Sequence, residues 1–279
     1  EKEKGKIIFC IKLCCKKGRN MVDIHAHILP DLDDGSENLE ESLEMAEIAV
    51  ESGVEIMVAT PHSNQMGRFE NFCSEQLREN FKQLRTVLKK ERIPLEILNG
   101  MEIFASDDLT QKIKSKQVTG INETEYYLVE FPFDAEPWWI RECLEDIFET
   151  EKIPLIAHPE RYFCVQDYPE LVYEWVQNGC VTQMNKGSVL GRFGKNVRET
   201  ARILIQNDLI SCMASDAHHA YIRTPHMGEA EEKLIRLGGY EFAWCLTEKN
   251  PERIIKNRQI PIHGRRPERK RKYFMPVYR

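Results

Sequence analysis

Seven short apolar runs punctuate this chain, and each finishes in a side chain able to bind a metal ion or a phosphate. Met21-Val22-Asp23-Ile24 leads into His25 and His27, and Ile56-Met57-Val58-Ala59-Thr60 passes through Pro61 to His62. Leu95-Glu96-Ile97-Leu98 leads to Glu102, and Tyr126-Tyr127-Leu128-Val129 to Glu130. Ile153-Pro154-Leu155-Ile156-Ala157 ends at His158, and Val181-Thr182-Gln183-Met184 at Asn185. Ile210-Ser211-Cys212-Met213-Ala214 leads to Asp216 and His218. Between these runs the pattern turns helical. Leu39, Leu43, Ala46 and Val50 mark one face of a helix, with Ser36 as its expected N-cap and Gly53 as its stop. Residues 76–91 and 141–151 read the same way. Near-continuous apolar strands alternating with helices predict parallel β-structure buried on both faces. Polar groups at the C-terminal ends of successive parallel strands converge on one mouth, as in a (β/α) barrel.

Single histidines and acids beside apolar runs are usually boundary residues. Their recurrence at one relative position is what points to a site. His25 and His27, at i and i+2, project from the same face of an extended chain. Five of the eight histidines lie at these ends: His25, His27, His62, His158 and His218. With Asp34, Glu102, Glu130 and Asp216 they supply nine candidate donors. One ion takes about four to six, so the set predicts two or three ions sharing carboxylates. Imidazole and carboxylate without thiolate suit manganese, zinc or iron at a hydrolytic centre. Arg161 and Arg223 add planar forks that match a phosphate. They are the expected substrate contacts and transition-state stabilisers, with Asn185 as a third substrate contact. His219 reads as a supporting or surface group, and His226 as the start of a helix after Pro225.

Taken together, His25-x-His27, Asp33-Asp34-Gly35, Thr60-Pro61-His62, Glu102, Glu130-Phe131, His158-x-Glu160-Arg161-Tyr162, Gln183-x-Asn185 and Ser215-Asp216-x-His218 resemble the polymerase and histidinol phosphatase (PHP) superfamily. Asp-Asp-Gly, Glu-Arg-Tyr and Arg223-x-Pro225-His226-Met227 resemble its CpsB/CapC branch, the manganese-dependent bacterial tyrosine phosphatases of capsular and exopolysaccharide operons. The resemblance runs from Met21 to about Asn257. Ala26 stands where relatives often carry serine. It implies a distorted seven-stranded (β/α) PHP barrel, three metal ions with manganese as the cofactor, and cytoplasmic dephosphorylation of a bacterial tyrosine kinase that controls polysaccharide export.

The expected chemistry is in-line attack on phosphorus by hydroxide made available near neutral pH by metal ions. Tyrosinate leaves readily, its acid having a pKa of about 10, so strong acid help is less necessary, with His218 or a metal-bound water as its source. Thiol phosphatases instead place an arginine six positions after a nucleophilic cysteine. None of the nine cysteines here has one; Cys73 is followed at that offset by Glu79 and Cys180 by Lys186. Scattered cysteines without a Cys-x-x-Cys pair fit a reducing cytoplasm.

Length suits one barrel, expected over residues 21–263. Residues 1–20 carry +5 and residues 264–279 carry +6, so a net charge of −6 leaves about −17 on the body. An acidic body repels nucleic acid and gathers divalent cations. Residues 7–15 are apolar but far short of the roughly 20 needed to span a bilayer, and no integral membrane segment is expected. Residues 1–20 are expected to be a basic extension outside the domain. The tail from Gly264 is expected to be solvated, with anionic lipid or an acidic protein as its alternative contact. Two other functions compete with phosphotyrosine hydrolysis. One is a PHP-type phosphoesterase acting on a small phosphomonoester such as histidinol phosphate, or a nuclease-like relative. The other is a non-catalytic barrel that binds a kinase. The acidic body counts against the nuclease, Glu160-Arg161-Tyr162 against the small-molecule enzyme, and nine costly ionisable groups against the scaffold.

Overall fold

The computed structural model describes residues 20–268. Residues 7–15, and the basic tail beyond residue 268, lie outside the described residues. Among the described residues no helix is long and apolar enough to cross a membrane.

Every expected run forms strand, but two of them are interrupted, so nine strands are observed among the described residues where seven runs were read. These are β1 (Met21–Ala26), β2 (Val54–Ala59), β3 (His62–Ser63), β4 (Glu96–Asn99), β5 (Glu102–Phe104), β6 (Tyr126–Glu130), β7 (Ile153–Ala157), β8 (Val181–Asn185) and β9 (Cys212–Ala214). Pro61, which has no N–H for a ladder, separates β2 from β3, and Gly100-Met101 separates β4 from β5. The strands pair in two all-parallel sheets, ordered β1-β2-β4 and β3-β5-β6-β7-β8-β9. The molecule is a mixed α/β fold. At its open edges the first and last strands meet: Asp216 N donates to His25 O at 2.9 Å and His27 N to Ala217 O at 2.8 Å.

Helices pack outside. Glu75–Glu91 is capped by Ser74, whose Oγ accepts from Leu77 N, and buries Leu77, Phe81, Leu84 and Leu88 along one face. Pro137–Phe148 starts with proline at its first position and buries Ile140, Leu144 and Ile147. The helix Leu39–Ser52 departs from expectation at its start. Its N-cap is Asn38, which accepts from Glu41 N at 3.0 Å, whereas Ser36 Oγ donates to Asn38 O at 2.8 Å. The turn between Ser36 and Asn38 delays helical dihedrals by two residues. Gly53, left-handed at φ 99°, ends the helix as read.

Alternation along the strands organises the interior. Tyr126 and Leu128 of β6, Leu155 and Ala157 of β7, Val181 of β8, and Cys212 and Ala214 of β9 share a small buried cluster. The intervening Tyr127, Val129, Ile156, Met184 and Met213 belong to the larger core that includes the helices. Two residues further along the inner face, apolar side chains give way to Glu130, to Gln183 and Asn185, and to Asp216. Ile254, Ile255 and Ile260 complete the inner cluster at the opposite end, where Tyr126 Oη donates to Arg258 O at 2.8 Å.

Candidate metal centre

Two histidines at the end of β1 are oriented from behind by groups that only accept. His25 Nδ1 meets Gln183 Oε1 at 2.9 Å, and His27 Nδ1 meets Asp33 Oδ2 at 2.7 Å. Gln183 Nε2 donates to Asn185 Oδ1 at 2.8 Å, which fixes the orientation of the amide. Each ring therefore carries its proton on Nδ1 and presents a lone pair on Nε2. The two Nε2 atoms face each other at 3.3 Å. Glu102 Oε2 lies 3.2 Å from each of them and 3.0 Å from His62 Nδ1, yet it is buried without a hydrogen-bond partner. Lone pairs and a carboxylate oxygen pointed at one another are stabilised by a cation between them, so the donor set fits divalent metal.

Three donor groups lie close enough to hold ions: His27, Asp34, His62 and His218; His25, His27 and Asp216; and His62, Glu102 and Glu130, the donor atoms in each group within 4.8 Å of one another. His158 Nε2 stands 3.1 Å from Glu102 Oε1 and 3.5 Å from Glu130 Oε1, and its buried Nδ1 has no partner. All nine expected donors meet here, and all but Asp34 are buried. Asp33-Asp34-Gly35 wraps over His27. A Cβ at Gly35 would fall 2.2 Å from His27 O, so only glycine admits this approach. His158, Asp216 and Arg223 have positive φ of 33°, 49° and 54°; such backbone strain in residues with side chains concentrates at functional sites.

Electrostatics divides the cluster. Burial disfavours charge on His62, but Glu102 beside it raises the imidazole to about 10. Burial, reinforced by nearby cations, lowers His158 to about 4 and His218 to about 3, so both are neutral at pH 7 with lone pairs available. Burial together with the charge of Glu102 pushes the Glu130 carboxyl up to about 8. Glu102 and Asp216, which burial alone would raise, are held well below the usual range by positive charge, on protonated His25 and His62 for the first and on Arg223 and His25 for the second, charge that bound ions would replace. An acid pushed up to about 8 by a neighbouring carboxylate marks a place where positive charge is in demand.

Arg161 and Arg223 approach from the other side. Both reach Asp216 Oδ2, at 3.6 Å and 2.5 Å, and Arg223 Nε is buried without a partner. With Glu130, His158 and Asp34 they line a cavity of about 670 Å³. Asn185, the third expected substrate contact, stands elsewhere. It is fully buried behind the centre, with Nδ2 donating to Asp216 Oδ2, and does not line the cavity. His219 Nδ1 meets Glu41 Oε1 at 3.2 Å, outside the cluster.

Several supporting groups escaped the sequence reading. Asp33 orients His27 and also accepts from His62 N at 2.8 Å. Asp23, fully buried, accepts from Ser215 N at 2.9 Å and so ties β1 to the Asp216 segment. Glu160, also fully buried, accepts from Ser188 Oγ at 2.6 Å and Asn185 N at 3.0 Å. Lys186 Nζ donates to Thr224 O and His226 O, carbonyls of the segment that follows Arg223. An acid inside an apolar run, as at Asp23, was the available signal; the partners of Glu160 and Lys186 lie too far along the chain to be read.

Residues 21–256 match the family described as capsular polysaccharide synthesis, CpsB/CapC. The tyrosine-protein phosphatase YwqE of Bacillus subtilis is 39% identical over 254 residues, covering 91% of this chain and 99% of YwqE. A chain from the crystal structures of YwqE from Bacillus subtilis and CpsB from Streptococcus pneumoniae, metal-dependent tyrosine phosphatases, superposes with a TM-score of 0.83 at 37% identity, covering 90% of this chain and all of that one. The phosphotriesterase homology protein of Escherichia coli shares the fold alone, with a TM-score of 0.58 at 10% identity over 85% of this chain and 99% of its own.

Proposed function

The chain belongs to the CpsB/CapC family of capsular polysaccharide synthesis, and from that membership we propose that it is a metal-dependent tyrosine-protein phosphatase. The observation that carries this reading is the meeting of nine imidazole and carboxylate donors with two guanidinium groups in one cavity. His25, His27, Asp34, His62, Glu102, Glu130, His158, Asp216 and His218 would hold two or three ions, with manganese the natural choice for an oxygen- and imidazole-rich set. Bound ions would supply Lewis acidity toward the phosphoryl group and a water-derived nucleophile at neutral pH.

The protein's own groups do the rest. Arg161 and Arg223 bind the phosphoryl oxygens and neutralise charge as it spreads in the transition state. Asp216 holds both arginines, and Asn185 orients Asp216 from behind. Tyrosinate departs with little help; His218, neutral at pH 7, serves as a ligand and not as the acid, and solvent protonates the leaving oxygen. Buried thiols take no part: burial pushes the Cys143 thiol up to about 12 and those of Cys180 and Cys212 higher still. The physiological substrate is a phosphorylated bacterial tyrosine kinase in the cytoplasm. In fold, β2 with β3 and β4 with β5 act as two broken staves. This reading gives a distorted seven-stave barrel closed by the His25–Asp216 hydrogen bond, within a domain of residues 21–263 flanked by basic ends.

A manganese-supplemented assay on a phosphotyrosine peptide, run beside histidinol phosphate, tests the reading. Peptide turnover that a chelator abolishes and iodoacetamide spares is the expected result. Turnover of histidinol phosphate alone, or loss of activity on alkylation but not chelation, overturns it.

A further inference from the structure

One aromatic ring serves both arginines of the site. Phe193 lies in the turn between the helices Lys186–Leu190 and Lys195–Gln206. The Arg161 guanidinium sits 4.7 Å from its ring centroid and that of Arg223 5.9 Å. Phe133 covers Arg161 at 4.5 Å, so Arg161 contacts two aromatic rings. Phe133 and both arginines line the cavity, whereas Phe193 does not and acts from behind.

Asp216 Oδ2 alone cannot set the planes of two guanidinium groups, because one oxygen restrains distance and leaves rotation about the contact free. An aromatic face supplies the missing restraint: a weakly hydrated planar cation lies against it and keeps its N–H edge for other acceptors. The ring also has a prepared seat. A Cβ built on Gly187 would lie 2.7 Å from Phe193 Cε2 and 3.0 Å from Cζ, so the missing side chain at Gly187 makes the space that the ring occupies. Lys186, one residue earlier, anchors the carbonyls of Thr224 and His226, in the segment that directly follows Arg223. The segment after β8 thus braces the second arginine through its backbone and both arginines through Phe193.

We propose that Phe193 is a positioning residue that aligns Arg161 and Arg223 for the phosphoryl group, and that Gly187 exists to seat it. This rests on the reading of the two arginines as phosphate ligands. Inorganic phosphate is the probe, titrated calorimetrically into the full manganese-loaded chain, with metal content measured by elemental analysis for every variant.

Phe193→Ala is expected to weaken phosphate binding roughly three- to tenfold and to lower kcat/KM for a phosphotyrosine peptide by at least as much, at unaltered metal content. Phe193→Tyr restores both, and Gly187→Ala reproduces the loss with the ring still present. A purely structural role would lower folded fraction or metal content and leave phosphate affinity per metal-loaded molecule at the wild-type value. If Arg161→Ala weakens phosphate binding while Phe193→Ala and Gly187→Ala leave it at the wild-type value, the alignment role is wrong. If Arg161→Ala and Arg223→Ala also bind phosphate as wild type does, the phosphate reading of the arginines fails and the inference falls with it.

Discussion

The two ends of the inner strand face make opposite contributions. At one end Leu128, Leu155, Val181 and Cys212 pack with Ile254, Ile255 and Ile260, and burial of apolar surface stabilises the fold. At the other, Glu102, Glu130, Asp216 and five histidines are buried together, an arrangement that costs stability until cations arrive. On β6 the two ends are two residues apart on one face, Leu128 in the first and Glu130 in the second. Function sits where the fold is strained and stability where it is relaxed, so substitutions at the two ends should separate the two properties.

Glu102→Gln should show the largest effect. Turnover is expected to fall on the order of a thousandfold and bound metal to drop, while the melting temperature of metal-free protein holds or rises as a buried charge is removed. A metal-free variant that melts well below wild type would erase the contrast. At the other end, Leu155→Ala is expected to cost about 2–5 kcal/mol in urea unfolding and to leave kcat per metal-loaded molecule near wild type. A selective loss of kcat there would show that the floor shapes the site directly.

Glu160 sharpens the comparison through pH. Burial raises its carboxyl from 4.5 to about 7 in the folded protein. The folded state then holds a proton that the unfolded state releases, so this group's contribution is full below pH 4.5 and is lost as pH rises to about 7. Comparing urea midpoints of wild type and Glu160→Gln at pH 4.5 and pH 8, both with chelator, should show the variant gaining up to about 3 kcal/mol relative to wild type at the higher pH. An equal difference at both pH values would place the proton elsewhere. Asn38→Ala, at a helix start, should cost about 1 kcal/mol with turnover and metal content little changed.

Most of the nine expected donors were legible because they lie at or just beyond strand ends, where a change from apolar to polar marks the boundary, whereas Asp34 lies in the loop after β1. The helices read at 76–91 and 141–151 were legible from spacing, the second forming at Pro137–Phe148 because Pro137 starts it earlier. The breaks at Pro61 and Gly100 were not, since they are settled by which neighbouring strand takes over the hydrogen bonds. Nor was the role of Asn185 as a prop behind Asp216: its position at a strand end matches that of the donors, and only burial separates them. Gln183 orients His25 across 158 residues of chain, and Phe193 belongs to no periodic pattern. Long-range partners of this kind are invisible to local sequence signals. Ser36 was misread for a smaller reason: serine and asparagine both cap well, and the tie is broken by the turn that precedes the helix.

The closure of β1 against the segment after β9 has a consequence for biosynthesis. Ser215 Oγ donates to His25 O across 190 residues, and the isoleucines that stopper the opposite end come later still. A ribosome must therefore release nearly the whole domain before the first histidine pair finds its aspartate. Loop closure over such a span is slow compared with helix formation, so the donor group of His25, His27 and Asp216 is completed only after the last strand has been made.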